Sequence, residues 1–161
     1  MAFRNKKSIF FIIIIIAIPV GFMAINKIAP VGWNLFGSVF ATNGVAIDGY
    51  DPVAYHIRGK ELKGDPEHSI VWNGVIWQFD SADNKTLFQA DPKRYAPKFG
   101  GYCAIAISKG VTAKVNPKIW HIENSKLFLF FNEDARNDFI NKIGDGVIEI
   151  SEEEWSNAYG L

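Results

Sequence analysis

The chain has 161 residues, enough for one compact domain with its own core, and 17 basic residues balance 17 acidic ones. All the acidic residues lie beyond residue 27, together with only 13 of the basic ones, so this main part has a net charge near −4. We therefore expect no nucleic-acid partner, because proteins that bind nucleic acids present basic surfaces. The single cysteine, Cys103, excludes a disulfide bond within the chain.

The first 27 residues contain an uncharged apolar stretch, residues 8–25, preceded by Arg4, Lys6 and Lys7. Its length is just sufficient for a membrane helix, because about 20 apolar residues cross about 30 Å of hydrocarbon. The basic residues before it predict a cytoplasmic N-terminus. We expect residues 1–27 to be a signal-anchor that spans the cell inner membrane once and places the domain on the periplasmic or extracytoplasmic side. A cleaved signal peptide is the alternative.

Residues 28–44 are apolar but interrupted by a proline and glycines, too often for a second membrane span. They are interpreted as a juxtamembrane connector between the anchor and a domain at residues 45–161. Trp33 and Phe36 of this connector either lie at the level of the lipid headgroups or pack on the domain.

In the first part of the domain, the sequence predicts a helix and a hairpin. Asp51 and Pro52 are typical of a helix start, and Gly59 of its end. The sequence SIVWNGVIWQF, residues 69–79, predicts a β-hairpin with an Asn-Gly turn. The pairing around that turn places five apolar side chains on one face, which we expect in the core: Ile70, Trp72, Val75, Trp77 and Phe79.

A second hairpin is predicted for IWHIENSKLFLFF, residues 119–131. It turns at Asn124 and Ser125, which places Glu123 opposite Lys126 as a cross-strand ion pair. Its second strand is apolar at five consecutive positions, Leu127 to Phe131, which predicts a strand covered on both faces.

Polar residues before apolar runs predict further helices. We expect Asp80, Asp91 and Asn132 to cap three of them, and the pair Ser151 and Glu154 to form the capping box of a last helix. The predicted fold class is α+β: a small domain of two antiparallel β-hairpins with short helices, preceded by one N-terminal transmembrane helix.

Several stretches together resemble the YHS-domain family, in the bacterial group where one such domain follows a signal or anchor segment. They are DGYDPVAY at 48–55, the WNGVIWQF hairpin, FQADPKRYAPKFGGYCA at 88–104, Asn116-Pro117 with Trp120, and KLFLFFN at 126–132. The resemblance extends from about residue 46 to 140. It implies a compact α+β unit, which the family uses alone or attached to metal-handling and oxygenase-type proteins. Related versions that bind metal have several cysteines, whereas this chain has one.

Three interpretations of Cys103, in the stretch FGGYCAIA at 99–106, stay open. It could be a metal ligand together with His121 or His56, and such thiolate and imidazole ligands favour copper(I) or zinc. It could be a reactive thiol, which requires a lowered pKa. It could also be a small apolar residue in a close turn that the two glycines allow.

Sequence motifs of serine hydrolases, zinc proteases and phosphate-binding loops do not occur in the chain. We therefore expect a membrane-anchored, non-enzymatic binding or accessory module, with a soft metal ion at Cys103 as its most specific version. Its expected partners are the membrane, through the N-terminal helix, and another membrane protein. The alternative is a thiol-dependent redox enzyme or sensor that uses Cys103.

Overall fold

The structure, a computed structural model, describes residues 20–160 and has an α+β fold. In chain order the strands among these residues are β1 (Ala29–Pro30), β2 (Ala41–Thr42), β3 (Val45–Ala46), β4 (Asp65–Trp72), β5 (Val75–Phe79), β6 (Val111–Thr112), β7 (Asn116–Glu123) and β8 (Lys126–Phe130). They form a four-stranded sheet in the order β2-β3-β5-β4 and two two-stranded sheets, β1-β6 and β7-β8.

After a helical segment at residues 20–25, six α-helices pack around these sheets in the described chain. They are α1 (Pro52–Arg58), α2 (Ala82–Ala90), α3 (Pro92–Tyr95), α4 (Ala104–Ile107), α5 (Glu133–Asn141) and α6 (Val147–Tyr159). Short 3-10 turns lie between some of them, at Val31–Trp33, Ile47–Gly49, Lys98–Gly101 and Ile143–Asp145.

Both predicted hairpins are confirmed. Trp72 pairs with Val75 across a turn in which Asn73 and Gly74 both have positive φ, and the predicted apolar face of this hairpin packs in the core. The second hairpin pairs Glu123 with Lys126 as expected. Its second strand is fully buried only from Leu127 to Phe130, since Phe131 follows the end of β8 and is 46% exposed.

Most of the predicted helix boundaries are confirmed, but two of the predicted helix starts are wrong. Helix α2 is capped by Ser81, one residue after the expected Asp80. Helix α6 begins at Val147, not at Ser151, because the buried side chains of this helix already begin at Val147. Ser151 is buried inside the helix and donates its hydroxyl to the Val147 carbonyl at 2.8 Å, so it caps nothing.

The prediction of a transmembrane helix is corrected by the structure. Among residues 20–160, no helix is long and apolar enough to cross a membrane. This finding contradicts the predicted signal-anchor, the inner-membrane localisation and the extracytoplasmic placement of the domain. The greater part of the predicted span, at residues 1–19, lies outside the described residues.

Residues 28–44, interpreted from the sequence as a connector, pack into the domain. Strand β1 pairs with β6, and the side chains of Val31, Val39 and Phe40 are buried in the common core. Two large apolar side chains of this segment project strongly, Trp33 at 66% and Leu35 at 62% exposed. The boundary predicted between residues 44 and 45 falls in the turn that joins β2 to β3, two paired strands of one sheet.

The buried side chain of Asp51 joins three parts of the fold. Its Oδ1 accepts hydrogen bonds from the N–H groups of Val53 and Ala54 at 2.8 and 3.2 Å, which caps α1 as predicted. Its Oδ2 accepts one from the Asp80 N–H at 2.8 Å and one from the Asn84 side chain at 2.6 Å. A buried carboxylate is costly unless its oxygens are paired, and here four donors pair them.

We predict that Asp51→Ala lowers the free energy of unfolding by about 3 kcal/mol or more, because it leaves four buried or half-buried donors without an acceptor. Urea unfolding followed by circular dichroism measures this loss. The matched control is Asp91→Ala, which removes the exposed cap of α3 and should cost only about 1 kcal/mol. Equal losses for the two variants would contradict the central role given to Asp51.

Candidate functional site

Cys103, the residue singled out from the sequence, lies in the core. It is 2% exposed and precedes helix α4, and its backbone forms a bridge to Leu129 of β8. Burial raises the pKa of its thiol, although backbone N–H groups, including that of Phe131, partly oppose the rise. A thiol with a raised pKa and no access to solvent has neither property of a reactive cysteine. The geometry thus favours the third interpretation, that of a small apolar residue.

His56 lies in the last turn of α1, with its ring packed edge-on against Tyr95. The two ring centroids are 5.5 Å apart. The Nε2 atom is buried and, within the described chain, has no hydrogen-bond partner. Burial lowers the pKa of this imidazole, opposed by a hydrogen bond with the Tyr95 backbone, while the charge of Arg94 lowers it further.

His121 lies on β7 opposite Phe128, where the sequence places it, and its Nε2 is 3.2 Å from Oε2 of Glu123. Across residues 20–160, no three His, Cys, Asp or Glu side chains are arranged to hold one metal ion. Cys103, His121 and His56 therefore do not form such a group of three, and a copper or zinc ion held by Cys103 with His121 or His56 stays a prediction.

A groove of about 1000 Å³ opens elsewhere, between four segments of the chain. These are the turn of the β4–β5 hairpin, the loop that runs from α3 into the 3-10 turn, the stretch before β2, and helix α6. Aromatic side chains contribute much of the lining: Trp72, Trp77, Phe99, Trp155 and Tyr159. Trp72 and Tyr159 are half-buried and so present ring surface, whereas the other three are buried.

Gly100 of the FGGYCA stretch lines the groove, and Gly101 follows it in the same 3-10 turn. Gly100 has φ +59°, and a Cβ there would lie 1.9 Å from the Ser38 carbonyl oxygen. Its own carbonyl accepts a hydrogen bond from the Phe40 N–H at 2.8 Å. Gly101 has φ +82°, and a Cβ there would lie 2.8 Å from Ile47. Only glycine combines these conformations with such close contacts, so the pair shapes the backbone and brings no chemistry of its own.

Tyrosine hydroxyls donate hydrogen bonds to the segment before β2, which supplies another part of the lining. Tyr102 donates to the carbonyls of Phe36 and Gly37 at 2.8 and 3.1 Å, and Tyr159 of α6 donates to the same Gly37 carbonyl at 3.2 Å. Burial raises the pKa of both phenols, which keeps them protonated as donors. The rings of Trp155 and Tyr159 lie 4.2 Å apart and form a continuous aromatic surface on the helix.

Three charged side chains line the groove: Lys93, Lys98 and Glu152. Oε1 of Glu152 accepts ion pairs from Lys98 at 3.0 Å and from Lys126 at 2.9 Å. Burial acts to raise the pKa of Glu152, but the hydrogen bonds from the two lysines outweigh it, and the pKa is lowered. Lys93 is exposed and forms no ion pair with any described residue. The groove therefore has an excess of positive charge.

The sequence alone does not predict this groove. Trp155 and Tyr159 lie one helical turn apart, which indicates an aromatic surface on a helix, but nothing in the sequence places that surface near Trp72 or Lys93. The segments that meet here are separated by up to 122 residues, as in the Tyr159 to Gly37 hydrogen bond.

No family model matches the chain, and neither a curated protein nor a solved structure does. The resemblance to the YHS-domain family therefore stays a prediction, and function is inferred from the geometry of the described residues.

We predict that Cys103 in the folded chain reacts with iodoacetamide only at a pH midpoint above the value of about 8.5 for a free thiol, because burial disfavours the thiolate. Mass spectrometry of samples quenched at increasing pH measures the midpoint. The same chain in urea serves as the control and should react as a free thiol does. A midpoint below the free value in the folded chain would restore the redox interpretation.

We predict that acidification through the ordinary histidine pKa of about 6.5 destabilises the fold through His56. The folded state holds its pKa lower, so the unfolded state binds the proton more readily. Stability is then complete above about pH 6.5 and falls as the pH drops below it, towards the folded-state pKa.

Urea unfolding between about pH 7 and 5 measures this slope, in the range where histidines titrate. The variant His56→Gln should lose a large part of the slope. His68→Gln, at the half-buried histidine of β4, is the control and should keep it. A wild-type slope in His56→Gln would contradict the role of the buried Nε2.

Proposed function

We propose that this protein is a non-enzymatic binding module that holds a small organic ligand with a planar, apolar part. The observation that carries the proposal is the groove with its aromatic lining. Its volume of about 1000 Å³ is in the range of small-molecule sites, which are typically apolar with a few polar groups. A planar ligand gains offset-stacked or edge-to-face contacts with aromatic rings in addition to the burial of its surface.

The exposure of the lining supports this proposal. Trp72 packs against Trp77 and Phe88, with centroids 5.7 and 5.6 Å away, so its ring is held from behind while part of its surface stays accessible. Tyr159 is held in the same way by Trp155 and by its hydrogen bond to Gly37. Rings whose positions are already fixed lose little conformational entropy when a ligand binds, which favours affinity.

The accessory role predicted from the sequence fits this proposal. The structure offers no support for the two more specific predictions, a soft metal ion bound at Cys103 and a redox-active Cys103 thiol. Cys103 is buried, and its raised pKa disfavours the thiolate that both versions need. The resemblance of residues 88–104 to the YHS family agrees with a binding role and remains a prediction.

We predict that the full chain binds naphthamide, a neutral planar probe, at this groove. An NMR titration of the isotope-labelled chain should shift the amide signals of residues 98–100 and of α6. Tyr159→Ser should weaken binding roughly fivefold to tenfold, because it removes one aromatic contact surface.

The control for this variant is Trp33→Ser. Trp33 is 66% exposed and does not line the groove, so its loss should leave the affinity unchanged. Absence of any shift with naphthamide, or equal weakening by both variants, would refute the groove as the binding site.

A further inference from the structure

The charge of the groove narrows the class of its ligand, and this step rests on the function proposed above. The lining contains two lysines and one glutamate, Lys93, Lys98 and Glu152. The single acid is already satisfied, because Lys98 and Lys126 both donate to its Oε1. A ligand therefore meets no free carboxylate from the lining.

Lys93 differs from these residues. Its side chain is exposed at the groove and has no ion-pair partner within the described chain. It lies in helix α3, which Asp91 caps, so the backbone that carries it is fixed. An ammonium group that lines a groove attracts an anion more strongly than the same group on a flat surface, because the groove walls displace part of the water that screens it.

The net charge of the main part of the chain is opposite in sign to the charge of the groove. The chain beyond residue 27 has a net charge near −4, so this part of the protein as a whole repels an anion at long range. A positive groove in an acidic protein selects its ligand by charge as well as by shape.

We propose that the ligand of the groove is an organic anion, in which a planar apolar body carries a carboxylate, sulfonate or phosphate group. The aromatic lining contacts the body. The ammonium group of Lys93 pairs with the acidic group, and Lys98, whose charge Glu152 already shares with Lys126, contributes a weaker attraction.

The test compares three probes that share the naphthalene ring system and differ in charge: anionic naphthoate, neutral naphthamide and cationic naphthylmethylammonium. Each is titrated into the isotope-labelled full chain at low ionic strength, and dissociation constants come from the shifts of groove amides. We expect naphthoate to bind about tenfold more tightly than naphthamide, and naphthylmethylammonium to bind most weakly.

Reversing the charge at Lys93 tests whether its ammonium group causes the preference for the anionic probe. Lys93→Glu should abolish or invert the preference for naphthoate while naphthamide affinity stays within about twofold. The matched control is Lys118→Glu, since Lys118 is also an exposed lysine without an ion pair but does not line the groove. It should keep the wild-type preference apart from a small long-range effect that salt screens.

The outcomes separate this inference from the function on which it rests. If none of the three probes shifts the groove amides, the binding function itself is refuted, and the anion preference with it. If all three bind equally, or if Lys93→Glu keeps the preference for naphthoate, the groove remains a binding site but the anionic class of ligand is refuted.

Discussion

The hydrogen bonds to the buried carboxylate of Asp51 are the interaction on which the rest of the structure depends. They connect the start of α1 to the end of β5 and to the beginning of α2, through donors that lie 29 and 33 positions after Asp51 in the sequence. Because α1 is fixed in this way, the ring of His56 is held against Tyr95, the last residue of α3. The loop that lines the groove begins directly after Tyr95, so the Asp51 network indirectly fixes one wall of the proposed binding site.

Close backbone packing supplies the second constraint. Gly100 allows the stretch before β2 to lie against the turn after α3, and the hydroxyls of Tyr102 and Tyr159 then converge on the Gly37 carbonyl. The FGGYC motif thus unites the N-terminal segment, the central turn and the C-terminal helix. Its glycines and its tyrosine explain the motif structurally, and Cys103 fills the small apolar space behind them.

The parts of the fold that local chemistry determines could be predicted from the sequence. Asn73-Gly74 specifies its turn by requiring positive φ at both positions, and Asp51-Pro52 specifies a helix start. The predicted helix start at Ser151 was wrong because a serine hydroxyl can either cap a helix or bond to a carbonyl inside one. Packing decides between these two arrangements, and here the bond lies inside the helix. The segment at 28–44 has no local signal for its pairing with residues more than 80 positions away, as in the bond from Thr112 to Ala29. The groove, whose walls come from four segments, was beyond local patterns for the same reason.

Rarity in the sequence is a poor guide to the site in this protein. Cys103 is the only cysteine, yet the fold buries it and raises its pKa, so its chemistry is suppressed. Lys93 is one of many lysines, yet it stays unpaired beside the aromatic rings of the groove. The residues that hold the fold, such as Asp51, are fully buried, whereas Lys93 and Tyr159 keep accessible surface. The aromatic lining of the groove also belongs to the core, because Trp77, Phe99 and Trp155 are buried in it. An exposed position such as Lys93 carries no such contacts, so the charge of the proposed site can change with little cost to stability while its aromatic walls cannot.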